Sequence, residues 1–132
     1  MATIGSVLCP VDFSEQSRQA LLWASAIAQH RGGELTVLSV VEPLLAQAAG
    51  IRLGVDLTRT EAEPALREFV DATLPEGVRQ ASPVRMEVTV GDPAEAILQT
   101  ARRRKVALIV MGTHGLGGFR NIDPSRRVTE RR

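Results

Sequence analysis

The sequence predicts a single α/β domain: a doubly wound parallel sheet of strand order 3-2-1-4 with helices packed on its faces. Two observations carry that prediction. Short apolar runs alternate with segments of helical period in the order β-α-β-α-β-α-β, which implies parallel strands joined by right-handed helical crossovers. The runs also differ in kind. The first and fourth are apolar throughout, as strands covered on both faces are, whereas the third alternates apolar and polar residues and belongs at an edge. Setting the third at the edge and the first and fourth in the middle gives the order 3-2-1-4.

The elements follow in chain order. Gly5–Val11 is the first strand. Asp12-Phe13-Ser14-Glu15 then supplies helix-start chemistry. Either Asp12 or Ser14 can accept from the first-turn N–H groups, and Asp12 with Glu15 has capping-box spacing. The helix runs to about Gln29, with Leu21, Ala24, Ala28 and Ala20, Trp23, Ile27 recurring at three and four residues. Arg31-Gly32-Gly33 stops it. Leu35–Val41 is the second strand. Residues 42–60, broken by Pro43, Gly50 and Gly54, read as a loop. Thr60-Glu61-Ala62-Glu63 is another capping box and opens a helix to about Leu74, with Pro64 late in its first turn. Pro75-Glu76-Gly77 ends that helix. Val84–Val90 is the alternating strand. Asp92 as N-cap, Pro93 as first helical residue and Glu95 at the third position open a helix that ends near Lys105, where basic residues suit its negative end. Val106–Met111 is the fourth strand.

Composition narrows the function. A chain of 132 residues can bury a core without disulfides or a structural metal, and its one Cys allows no intrachain disulfide. No apolar run approaches the roughly 20 residues of a membrane span. The N-terminal residues lack the basic and apolar regions of a signal peptide, so the expected setting is cytoplasmic. The net charge of +1 hides a division: residues 120–132 carry +3 and the rest −2. The four aromatics, Phe13, Trp23, Phe69 and Phe119, are too scattered for a base-stacking platform, and no nucleic-acid partner is expected.

The order 3-2-1-4 places a topological switch between strands one and four, and ligands bind at the carboxyl ends of such strands. Those ends are Pro10-Val11-Asp12 and Met111-Gly112-Thr113. The segment 112–118 holds Gly112, Gly115, Gly117 and Gly118, whose backbone N–H groups can turn toward an anion. It is not a Walker A loop, since no Gly-Lys-Ser/Thr follows, and it is not the dinucleotide fingerprint of a first strand. A flexible surface loop is the plain alternative.

Four stretches together resemble the universal stress protein family. They are Val7-Leu8-Cys9-Pro10-Val11-Asp12-Phe13-Ser14, Val40-Val41-Glu42-Pro43, Gly91-Asp92-Pro93-Ala94-Glu95-Ala96-Ile97 and Leu108-Ile109-Val110-Met111-Gly112-Thr113-His114-Gly115. The resemblance spans residues 4–118 and implies a Rossmann-like sheet of the adenine nucleotide alpha hydrolase type, with order 3-2-1-4-5. It implies an ATP-binding protein of the stress response, with Mg²⁺ accompanying the nucleotide and at most slow hydrolysis. Carried over by position, Asp12 would accept from the ribose hydroxyls or sit beside the adenine. Pro10 and Val11 would line the base pocket with Val40, and Met111 would pack on the adenine. Gly112 and Gly115, with Gly117 in the same cradle, would bring N–H groups toward the phosphates. Each has a plainer reading too: Asp12 as a helix cap, Val40 and Met111 as core. Cys9 reads as a small buried apolar residue.

The chain departs from the family after Gly115. One branch of the family has Gly-x-x-Gly, nine residues, then Gly-Ser/Thr, whereas here the nine residues are followed by Ser125 and Arg126. Arg126 and Arg127 would offer phosphate contacts by charge instead. Val128-Thr129-Glu130-Arg131 reads as the start of the family's last helix. The domain is therefore expected over 1–118, with 119–132 a basic tail that is the remnant of that helix and with the fifth strand missing. Strand four would then be an exposed apolar edge, which invites pairing with another chain, so a homodimer or higher self-association is expected. The alternative function is a stress-response interaction module that binds no nucleotide and acts through dimerisation.

Overall fold

Strand β1 (Val7–Val11) is buried along its whole length, as an unbroken apolar run requires. The structure, a computed structural model, describes residues 5–42, 57–112 and 128–131, with backbone alone for 57–60 and 128–131. Around β1 lie α1 (Glu15–Arg31), β2 (Leu35–Val41), α2 (Leu57–Thr73), α3 (Glu76–Ala81), β3 (Val84–Val90), α4 (Pro93–Arg104), β4 (Leu108–Gly112) and β5 (Val128–Arg131). The sheet is parallel with order β3-β2-β1-β4-β5. The order 3-2-1-4 expected from the sequence is therefore present, with the alternating strand β3 at one edge.

The strands' alternation divides the core into two layers. Val7, Cys9, Val11, Val37 and Val110 face α1 and α2, where Ala20, Leu21, Ala24, Leu66, Phe69 and Val70 cover them. Leu8, Leu38, Ile109 and Met111 face α4, where Ile97 is fully buried. The largest apolar side chains on both sides are essentially inaccessible to water, each worth about 1.5–3 kcal/mol of burial.

The helix boundaries show which local signals acted. Ser14, not Asp12, caps α1: its Oγ accepts the Ser17 N–H at 3.1 Å, from an extended backbone at φ −81°. The helix runs on to Arg31 and ends where Gly32 turns left-handed at φ 72°. Asp92 caps α4 as expected, accepting the Glu95 N–H at 3.1 Å with Pro93 in the first turn. In contrast, α2 starts at Leu57, so Thr60 is inside the helix and Pro64 sits in its interior rather than its first turn. The short helix α3 follows where the sequence suggested only a stop. It is tied to α2 by Arg79, whose Nε donates to the Leu74 carbonyl and whose guanidinium meets Asp71 at 3.2 Å.

The fifth strand expected to be missing is present. Val128–Arg131 pairs in parallel with β4, Ile109 opposite Val128 and Gly112 opposite Arg131. The segment taken for a helix stub begins with two β-branched residues, which suit a pleated strand, and β4 supplies the backbone partners. Over Ile109–Gly112, β4 is accordingly not an edge. Among the described residues no helix is long and apolar enough to cross a membrane.

Candidate functional site

The site grows out of one residue that cannot donate a hydrogen bond. In β1 the backbone groups point alternately to the two neighbouring strands. The Val7 N–H donates to Glu34 O on the β2 side, and Ser6 O accepts from the Ala107 N–H on the β4 side. By that alternation position 10 faces β4, and Pro10 has no N–H to give. Register pairs between β1 and β4 stop at Leu8–Ile109, although both strands continue, to Val11 and Gly112. On the other side β1 stays paired with β2 through Val11–Ser39. The carboxyl ends of β1 and β4 are thus not tied to each other, at the switch point where an open α/β sheet binds ligands.

Three of the residues expected at the site come together there. Val40 and Met111 belong to the core layer under α4, with Ala94 and Leu98 of that helix packed on the same cluster. Pro10 shares the face of Leu8 by the two-residue period and is fully buried. Met111 is almost fully buried and Val40 half-buried, so Val40 is the more accessible wall. The register also turns a backbone acceptor toward the side of β1. Even-numbered residues of β2 face β1, as Glu34 does, and Val40 is the next after the pairing with β1 ends. Its carbonyl has no residue of β1 opposite, because the chain leaves the sheet at Asp12. Val11 does not join this group. It is buried on the opposite face, in the layer beneath α1 and α2.

Asp12 is half-buried, one residue past the end of β1. Its Oδ1 accepts the Ser14 N–H at 3.0 Å, and its own N–H donates to Ser17 Oγ at 3.4 Å. Ser17 Oγ in turn donates to the Ser14 carbonyl at 3.0 Å. The carboxylate is therefore held by the turn that opens α1, and Asp12 braces the cap without being the cap. Phe13, which the sequence reading passed over, is the cost of this turn. Its φ is 66°, a left-handed conformation that costs a non-Gly residue roughly 1–2 kcal/mol.

Gly112 has a reason for being Gly other than an anion. A Cβ there would lie 2.8 Å from the backbone carbon and oxygen of Gln16, in the first turn of α1. The absent side chain lets the end of β4 lie against the start of α1, where helix N–H groups concentrate positive potential. Gly115, Gly117, Arg126 and Arg127 lie outside the described residues. Cys9 is sealed in the core, and burial pushes its thiol far up, so it is inert rather than nucleophilic. Among the described residues no cluster of His, Cys, Asp and Glu could hold a metal ion.

Comparison with known proteins agrees with this architecture. The model of the universal stress protein family matches residues 3–125. A universal stress protein of Thermus aquaticus, encoded beside a sulfhydrylase gene, is 34% identical over 112 residues, 85% of this chain and 79% of that protein. The solved structure of universal stress protein UspA from Lactobacillus plantarum covers all of both chains at 25% identity and a TM-score of 0.68. A universal stress protein solved in complex with cAMP shares the fold at a TM-score of 0.61 and 24% identity, over 87% of this chain and 77% of its own.

Proposed function

We propose that this chain, which belongs to the universal stress protein family, binds an adenine nucleotide at the carboxyl ends of β1, β2 and β4 and serves a stress response. The observation that carries this reading is the conjunction of Pro10, Val40 and Met111 on one sheet face, where the ladder between β1 and β4 stops, with the Asp12 carboxylate beside it. The residue types fit the group. A purine needs apolar walls and a backbone acceptor for its amino group, which the Val40 side chain, backed by the buried Pro10 and Met111, and the Val40 carbonyl offer. Ribose hydroxyls need an acceptor, which Asp12 offers. That one solved relative holds cAMP supports the adenosine part of the ligand. Mg²⁺ would come with the phosphates rather than from a protein cage, as that ion commonly does. Arg126 and Arg127 would meet the phosphates by charge. The reading is of binding with at most slow hydrolysis, since Asp12 is the one carboxylate expected near the loop.

Calorimetric titration with ATP and Mg²⁺ tests the proposal. We expect saturable heat, weakened about tenfold by Asp12→Ala through the loss of one charge-assisted hydrogen bond. Arg126→Ala and Arg127→Ala should weaken ATP more than adenosine. No heat at millimolar ATP would overturn it. One feature favours a second reading, an interaction module without nucleotide: Ser125 and Arg126 stand where the family's binding branch has Gly and Ser/Thr. That reading, like the first, includes self-association of the chain in the cytoplasm, which light scattering after size exclusion would detect.

A further inference from the structure

Phe13 combines two properties seldom found together. It is a bulky residue held at positive φ, and it is 43% exposed, so full burial does not hold it there. What holds it is a small clamp on α2. The Phe13 ring meets the buried Phe69 ring edge to face, with centroids 5.3 Å apart and planes at 85°. The Arg18 guanidinium lies 4.6 Å from the centroid of the same Phe69 ring. Arg18 is itself fixed, donating to Thr73 Oγ1 at 2.5 Å and meeting Glu15 at 3.5 Å. The turn at Asp12 is thus fastened to the middle and end of α2, a helix otherwise remote in sequence.

We propose that Phe13 is a positioning residue for the nucleotide site: the Phe13–Phe69–Arg18 clamp holds a strained turn that aims the Asp12 carboxylate. The inference rests on the reading of the crevice as a nucleotide site. The physical logic is a balance. Left-handed backbone is unfavourable for Phe, and the ring contact offsets it. Without the contact, residue 13 relaxes to negative φ, and the hydrogen bond from the Ser14 N–H to Asp12 Oδ1 opens. Gly at position 13 would adopt the same turn without strain and without a clamp.

This logic gives opposite outcomes for two substitutions at one largely exposed position, both of which remove the same ring from Phe69. Phe13→Ala keeps the strain and removes the clamp. Phe13→Gly removes both. We expect Phe13→Ala to weaken ATP binding about tenfold and Phe13→Gly to stay within about threefold of the parent. Phe69→Leu, which keeps most of the buried volume but no ring, should behave as Phe13→Ala, and adding Phe13→Gly to it should restore affinity. Equal loss in the Ala and Gly variants would overturn the proposal, since the ring would then be touching the ligand. No loss in Phe13→Ala would overturn it as well. If the parent chain shows no heat with ATP, the nucleotide reading fails on its own. The clamp is then tested by hydrogen exchange at the Ser14 amide, which should accelerate in Phe13→Ala and not in Phe13→Gly. Equal exchange in the parent and both variants would refute it.

Discussion

Gly112 shows how little room the site allows. A methyl group there would press on the Gln16 backbone, which a helix cannot easily yield. Gly112→Ala should therefore lower stability by about 1–3 kcal/mol, read as the denaturant midpoint, at constant fold by circular dichroism. Asp92→Ala removes the cap of α4 and should cost about 1 kcal/mol in the same assay. The two residues also show what was legible in the chain. Asp92-Pro93-Ala94-Glu95 states its role in four consecutive letters, because capping is local chemistry. Gly112 does not, because the group it must avoid is ninety-six positions away in the first helix. Phe13 was hidden for the same reason: its partner Phe69 belongs to another element, and only the fold brings the two rings together.

Elements are joined by charge as well as by packing. Glu87 of β3 takes both Arg103 and Arg104 of α4, the latter at 3.0 Å, while its carboxylate is mostly shielded from water. Partial burial alone would raise its pKa. The hydrogen bonds and charges of the two arginines outweigh this and hold it below the ordinary glutamate range. A carboxylate whose folded pKa is depressed contributes stability that is fully present above the unfolded value, about 4.3, and is lost as pH falls through the folded value. Glu87→Gln should therefore flatten the acid limb of the stability profile below about pH 4.5 while changing its shape little above pH 6. The second prediction at this scale concerns α2. Pro64 is exposed, lies inside the helix and gives no N–H to the turn before it. Pro64→Ala should raise the melting temperature by several degrees, since roughly 1 kcal/mol shifts a domain of this size by a few degrees. The sequence placed this proline in a first turn because Thr60-Glu61-Ala62-Glu63 looks like a start. Three more residues of helix ahead of it overrode that local signal.

At the scale of the whole molecule, the sheet order was legible and its far edge was not. Order 3-2-1-4 followed from the contrast between unbroken apolar strands and the alternating Val84–Val90, a difference set by burial and therefore written into residue type. Val128–Arg131 is four residues long and mostly polar, too short for any periodicity, so its pairing with β4 had no pattern to betray it. Deleting residues 128–132 should uncover β4, whose Ile109, Val110 and Met111 are buried, and convert the protein to concentration-dependent aggregates seen by light scattering. The gap in the ladder beside Pro10 carries a different consequence. Its position is set by a covalent ring, not by a balance of weak forces, so neither heat nor pH can shift it short of unfolding. Pro10→Val would return a donor to the seam, and we expect a higher melting temperature together with weaker nucleotide binding. If so, a more stable sheet and untied strand ends are alternatives at this one backbone nitrogen, and the fold keeps the gap at the expense of a ladder hydrogen bond.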